Sequence, residues 1–271
     1  MISCVMPTFR RMNCVERSLS LFCAQDYPDN ELIVYNTDTD YPIVLGDSFS
    51  GFNIRVFNSD TDSETGQKYR DVGSIRRDAL NEAKGDYYIC WDDDDIFLPW
   101  NNLQCFHGIE GTRLSAWKPK SSMACFKKDA PEISQNYMEA SYIVRMSALR
   151  ECGYDLHVGG KEHMRWVHKF DREKTVLVEE NSIPSYAFNW SDPPAIGGHK
   201  NSGSINREDN YTLHRNGCHD KHTRKLERLD ISAMIQPYVQ LLKRNQGQVV
   251  KNHYISPELY ERYVSKHDTS L

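Results

Sequence analysis

Four consecutive aspartates, Asp92-Asp93-Asp94-Asp95, follow directly on Tyr87-Tyr88-Ile89-Cys90-Trp91, a run that reads as a buried strand. Carboxylates so close raise one another's pKa values unless something positive neutralises them, so a cation is expected beside them. In extended chain the side chains alternate between faces, which puts Asp92 and Asp94 on one side and Asp93 and Asp95 on the other. Two carboxylates aimed at one small volume suit a hard, oxygen-seeking cation such as Mg2+ or Mn2+. The competing reading is a solvated acidic turn, or acidic residues at the N-terminus of a helix starting near Trp100, where the dipole favours them. Position argues for the cation, because ligands of parallel sheets bind outside the carboxyl ends of strands.

The elements around this run predict an α/β fold. Ile2 to Met6 reads as a strand closed by Pro7, and Asn13 to Gln25 as a helix with Val15, Leu19, Phe22 and Cys23 along one face. Strands are expected at Leu32–Tyr35 and Ile54–Phe57, then a helix from about Val72 to Lys84, with Gly85 at the position where a helix end favours positive φ. Further strands are expected at Ser115–Trp117, Met123–Phe126, Tyr142–Arg145 and Thr175–Val178, with helices at Ser147–Glu151 and Lys161–Phe170. The stretch from Asn189 to Asn206, rich in Gly, Pro, Ser and Asn, reads as an ordered functional loop. Beyond Arg207 the pattern is helical, clearest from Leu226 to Leu242, with a kink expected at Pro237. A sheet covered by helices is thus expected over residues 1–205, with a helical C-terminal extension over 206–271 packed on it.

Size and composition fit that division. The 271 residues suffice for one large core, and 39% hydrophobic with 26% charged residues are ordinary globular values. A net charge of −5 gives no overall attraction to nucleic acid or to an anionic membrane. The eight cysteines stand singly, without zinc-site spacing, and no apolar run approaches the roughly 20 residues that span a bilayer. A cytosolic protein with reduced thiols is expected.

Three blocks together carry a family resemblance. They are Val5-Met6-Pro7-Thr8-Phe9-Arg10-Arg11; Ser18 through Pro28 with Glu31-Leu32-Ile33-Val34; and Arg77-Asp78-Ala79-Leu80-Asn81-Glu82-Ala83-Lys84-Gly85-Asp86 running into Trp91-Asp92-Asp93-Asp94-Asp95. In order and spacing they resemble family 2 glycosyltransferases with the A-type nucleotide-diphospho-sugar transferase fold, including its Asp-X-Asp signature. The resemblance implies a mostly parallel central sheet flanked by helices, a nucleoside diphosphate sugar as donor, with UDP preferred, and Mn2+ or Mg2+ as cofactor. It also implies roles: Pro7, Thr8, Arg10, Arg77, Asp92 and Asp93 near the donor, and Asp92 with Asp94 on the metal. Where relatives carry an acidic pair after the second strand, this chain has Asn36-Thr37-Asp38-Thr39-Asp40, and Asp38 is the residue expected to meet the base.

An inverting displacement also needs a base for the acceptor hydroxyl. The stretch matching the family's Glu-Asp pair is Lys161-Glu162-His163-Met164, with histidine where the aspartate is expected, so Glu162, His163 and the nearby Asp155 are the candidates. His199, among the glycines of Gly197-Gly198-His199-Lys200, sits where relatives place a histidine that completes the metal or diphosphate site, and Lys200 adds positive charge there. The acceptor itself is open. His199 to Lys251 holds ten Lys or Arg against five Asp or Glu, plus four histidines. A glycan fits, and so does DNA carrying a modified base, of the kind some bacteriophage glucosyltransferases decorate; the contacts would be Tyr211, His214, Arg215, His219, Lys221, His222, Arg224 and Lys225. Two other readings stay open at this level: a nucleotidyltransferase on the same sheet, and a non-catalytic nucleotide-sugar or DNA-binding protein.

Overall fold

The computed structural model describes residues 1–125, 131–136, 138–153, 163–189, 223–247, 249–250 and 253–270. Its first half alternates strands and helices: β1 Ile2–Thr8, α1 Met12–Cys23, β2 Asn30–Asn36, β3 Val44–Leu45, β4 Ile54–Asn58, α2 Val72–Glu82, β5 Tyr87–Cys90, β6 Ile96–Phe97 and α3 Asn101–Ile109. The second half holds shorter pieces: β7 Ala116–Pro119, β8 Ser121–Cys125, β9 Glu132–Gln135, β10 Ile143–Arg145, α4 Met146–Cys152, α5 Met164–Glu173, β11 Val176–Glu179 and β12 Tyr186–Asn189. The C-terminal part contains β13 Lys225–Leu226, α6 Ser232–Asn245, β14 Val249–Val250, β15 His253–Tyr254 and α7 Pro257–Tyr263.

Seven strands form the main sheet in the order β11-β7-β10-β5-β1-β2-β4. All run parallel except β10, which is antiparallel to both neighbours. The innermost strands explain themselves: Ile2, Cys4, Val5 and Met6 of β1 and Leu32, Ile33 and Val34 of β2 are fully buried, as strands covered on both faces must be. Each such side chain contributes roughly 1.5–3 kcal/mol of burial. The chain leaves β1 to pair β2 on one side and β5 on the other, so the strand order reverses at the carboxyl ends of β1, β2 and β5, the place where sheets of this kind bind ligands. A smaller sheet, β6-β12-β8-β9, packs beside this end.

Three expectations change. Gly85 does not adopt positive φ. Its lack of a side chain serves close packing instead, since a Cβ there would lie 2.6 Å from Ser3 Oγ and 2.8 Å from the Met1 carbonyl. The helix expected from Leu226 starts only at Ser232, because Lys225 and Leu226 pair in parallel with Val44 and Leu45, and the Leu226 carbonyl accepts the Gly46 N–H at 2.7 Å. Pro237 lies inside α6 without ending it. The extension is therefore helical at α6 and α7 but contributes short strands as well. Among the described residues no helix is long and apolar enough to cross a membrane, and their seven cysteines are free thiols, six of them buried.

Candidate active site

The strand before the aspartates ends at Cys90, and Asp92 to Asp95 form a turn in which the Asp95 N–H reaches the Asp92 carbonyl at 3.4 Å. The expected two-and-two division survives in this different geometry. Asp93 and Asp95 are buried, 0% and 3% exposed. Asp92 and Asp94 keep 30% and 19% of their side-chain surface open. Trp91, just ahead, is fixed by stacking on Phe97 at 4.0 Å between ring centres and by donating its indole N–H to Ser18 Oγ at 2.7 Å.

Burial dictates what the inward pair must do. The Asp93 carboxylate accepts the Thr8 hydroxyl at 2.5 Å and pairs with Arg11 at 2.5 Å. Asp95 accepts the Tyr186 hydroxyl and, at 3.0 Å, the Asn189 N–H. Burial first, then the neighbouring Asp94 and Asp92 carboxylates, push Asp95 well above the usual carboxylate range. Thr8 and Asp93, both expected at the donor, thus bond to each other beneath the surface.

The outward pair sits among arginines. Arg76, 2% exposed on α2, meets Asp92 Oδ1 at 2.5 Å. Arg11 reaches Asp94 Oδ2 at 3.1 Å as well as Asp93. Arg17 of α1 donates to the backbone carbonyls of Asp94 at 2.7 Å and Asp93 at 3.3 Å, and Asn189 Nδ2 donates to the Asp94 carbonyl at 3.0 Å. The turn is held from β1, α1, α2 and β12 at once.

The resemblance placed Arg77 near the donor and gave Arg76 no role. The structure reverses their surroundings. Arg77 pairs with Asp62 at 2.8 Å, Glu64 at 2.7 Å and Asp78 at 2.9 Å, within the β4–α2 connection and α2 itself. The signal for Arg76 was present: it stands three, four and seven residues before Ala79, Leu80 and Ala83, on the apolar stripe of α2, where a charge must find a partner. Arg11 and Arg17, and the Tyr186 partner of Asp95, were missed because their contacts span 76 to 91 residues of sequence.

The remaining expected residues divide. Asp38 is 3% exposed at the end of β2 and pairs with Arg10 at 2.6 Å. Pro7 is half-buried within β1. His163 stands just before α5 without a side-chain capping hydrogen bond, 9% exposed, with its ring edge-on to Trp166. Arg224 forms a two-pronged pair with Glu16 at 2.7 and 2.8 Å, and Lys225 pairs with Asp47 at 3.0 Å, so both bind within the protein. Asp155, Glu162, His199, Lys200, Tyr211, His214, Arg215, His219, Lys221 and His222 lie outside the described residues. Among the described residues no group of three or more His, Cys, Asp or Glu surrounds a common point. Asp92 and Asp94, partly open and with oxygen donors only, still fit a hard divalent cation that takes its other ligands from a bound substrate.

No described protein family matches the chain, and no curated protein sequence does. Solved structures do. S. aureus TarS residues 1–349 in complex with UDP-GlcNAc superposes with a TM-score of 0.55 at 14% identity, over 90% of this chain and 72% of that one. Against the longer S. aureus TarS structure the TM-score is 0.53 at 15% identity, over 90% of this chain but 43% of that one, and in another TarS 1–349 crystal the match spans 60%. The mannosyltransferase PcManGT from Pyrobaculum calidifontis, in complex with GDP-Man and Mn2+, gives 0.50 at 12% identity, over 97% of this chain and 67% of that one. With its strand order and these superpositions, the chain has the nucleotide-diphospho-sugar transferase fold of A-type glycosyltransferases.

Proposed function

We propose that this chain is a metal-dependent glycosyltransferase that takes a sugar from a nucleoside diphosphate sugar and passes it to a hydroxyl acceptor with inversion. The observation that carries this reading is the turn after β5, which leaves Asp92 and Asp94 partly open while Asp93 and Asp95 are buried beneath them. Asp92 and Asp94 would hold Mn2+ or Mg2+. When bound, that cation neutralises the charge that develops on the leaving diphosphate. Arg76 orients Asp92, and Arg11 and Arg17 fix the turn so that little reorganisation accompanies binding. UDP is the first nucleotide to try, as one solved neighbour holds UDP-GlcNAc and another GDP-Man.

His199 is proposed to complete the metal or diphosphate site and Lys200 to add positive charge there, and Glu162, His163 or Asp155 to take the acceptor's proton. The acceptor is proposed to be a glycan or DNA carrying a modified base. A cytosolic setting is part of the proposal.

Incubation with UDP- and GDP-sugars and Mn2+, followed by analysis of the products, tests it. Release of nucleoside diphosphate, abolished in Asp94→Ala, is expected. Release of pyrophosphate would identify a nucleotidyltransferase, and binding without any turnover a non-catalytic nucleotide-sugar protein.

A further inference from the structure

Beyond the antiparallel strand β10 lies a cation that the metal turn does not use. Ile89, Ile143 and Trp117 stand level across β5, β10 and β7. One residue nearer the metal turn, Cys90, Tyr142 and Lys118 form the next row, on the other face of the sheet. The Cys90 thiol donates to Asp92 Oδ1 at 3.6 Å, so the row starts at the metal turn; two strand spacings, roughly 10 Å, carry it to Lys118. The Lys118 ammonium lies 4.7 Å from the Tyr142 ring centre and donates to the Asn136 carbonyl at 3.4 Å. Among the described residues no carboxylate is within ion-pair distance of it, and burial, which Asp171 and Glu139 only partly offset, holds its pKa below the usual lysine range. Tyr142 is 3% exposed, and its hydroxyl has no hydrogen-bond partner among the described residues. Its ring meets Trp166 edge-on at 5.4 Å, and the buried indole N–H of Trp166 also lacks an acceptor.

We propose that Lys118 and Tyr142 bind an anionic oxygen group, a phosphate or a carboxylate, carried by the acceptor that receives the sugar. The inference rests on the donor-site reading above and names the class of acceptor. Both β5 and β7 run antiparallel to β10 and therefore parallel to each other, so Lys118 and the metal turn stand at the same, carboxyl end of the sheet. The cluster holds donors in surplus. An ammonium carries three N–H groups and accepts nothing, and only the Asn136 carbonyl takes one of them. A half-buried charge without a counter-ion is costly to keep, and a neutral hydroxyl could satisfy its hydrogen bonds but not its charge. A phosphate or carboxylate does both, and its remaining lone pairs accept the Tyr142 hydroxyl. His163, one of the candidate bases for the acceptor hydroxyl, stands edge-on to the same Trp166 at 5.9 Å. The group that holds the acceptor and a group that takes its proton thus share one aromatic cluster.

Isothermal titration tests this. The full chain is first saturated with UDP or GDP and Mg2+, so that the metal turn is occupied, and inorganic phosphate and acetate are then titrated separately. At least one of the two anions is expected to bind, and the tighter names the group. Lys118→Met should weaken it about tenfold or more, the effect of one charged hydrogen bond lost, while Lys118→Arg keeps it within about threefold. Tyr142→Phe should weaken it about threefold or more and provides the test if Lys118→Met does not fold. The affinity for nucleotide with Mg2+ should be the same in all these variants. A Lys118 that merely supports the Asn136 carbonyl would leave the anion affinities unmoved. Binding of neither anion to the loaded wild type, or binding that Lys118→Met and Tyr142→Phe both keep, overturns the assignment and leaves the donor site standing. Failure of both nucleotides to bind in the first step overturns the donor site and this inference together.

Discussion

At the scale of residues, adjacent aspartates of one chemistry have opposite tasks, set by which way the turn points them. Asp93 is fully buried between Thr8 and Arg11. Removing one partner of a buried ion pair strands the other charge, so Asp93→Ala should cost about 3–5 kcal/mol in urea unfolding. Asp94 is partly open, and Asp94→Asn should cost about 1 kcal/mol or less while lowering turnover by on the order of a hundredfold or more. The reverse pattern, a stable Asp93→Ala with activity and an unstable Asp94→Asn, would contradict the assignment. The alternation rule anticipated this division from sequence, although its premise of an extended chain does not hold in the turn. What the rule could not supply was the identity of the counter-charges. Arg11, Arg17 and Arg76 become partners of the aspartates only when β1, α1, α2 and β5 are assembled.

At the scale of elements, α2 shows how one position of helical register sorts two arginines. Arg76 follows the buried stripe to Asp92, and Arg77, about 100° further round, joins Asp62, Glu64 and Asp78. That second network sets an acid limit. Burial opposes ionisation of Asp78, but hydrogen bonds from Tyr69, the Ser63 N–H and hydroxyl, and Arg77 outweigh it and hold the carboxyl below its ordinary range. Asp62 and Glu31 are lowered in the same way, by hydrogen bonds that outweigh burial. A carboxylate with a depressed native pKa stabilises the fold above its unfolded pKa near 4, and that contribution is lost as pH falls through the lower native value. Through these groups the melting temperature should fall steeply below about pH 4, whereas Asp95, held above the usual carboxylate range, works in the opposite sense and adds stability as pH falls toward its unfolded value. Asp78→Asn should start lower and lose less over the acid range; an unchanged acid limb would assign the sensitivity elsewhere.

At the scale of the whole molecule, the first hundred residues were legible because each element announces itself locally, through apolar stripes in α1 and α2 and continuous apolar runs in β1, β2 and β5. The second half was legible only in outline. Its sheet joins β6 and β12, two strands of two and four residues, across some 90 residues of sequence, and its long-range partners leave no periodic trace. The C-terminal extension was expected to be helical, but β13 pairs with β3, Arg224 grips Glu16 on α1, and Lys266 and His267 both meet Asp26 at 2.8 and 3.2 Å. It is stitched to β3, to α1 and to the connection after α1. Leu226, fully buried at that seam, should cost about 2–5 kcal/mol when changed to alanine, in a single cooperative transition with the rest of the chain. Two separate transitions would show an extension that unfolds by itself.

The central claim is that the turn after β5 binds a divalent cation and a nucleoside diphosphate together. Thermal unfolding with UDP and GDP, each with and without Mn2+, in the wild type and in Asp94→Ala, addresses it most directly. A ligand at about 100 times its dissociation constant adds roughly 2.7 kcal/mol, which for a chain of this size raises the melting temperature by several degrees. The account predicts such a rise only with nucleotide and Mn2+ present together, and its loss in Asp94→Ala. An equal rise without metal, or one that Asp94→Ala retains, would contradict it.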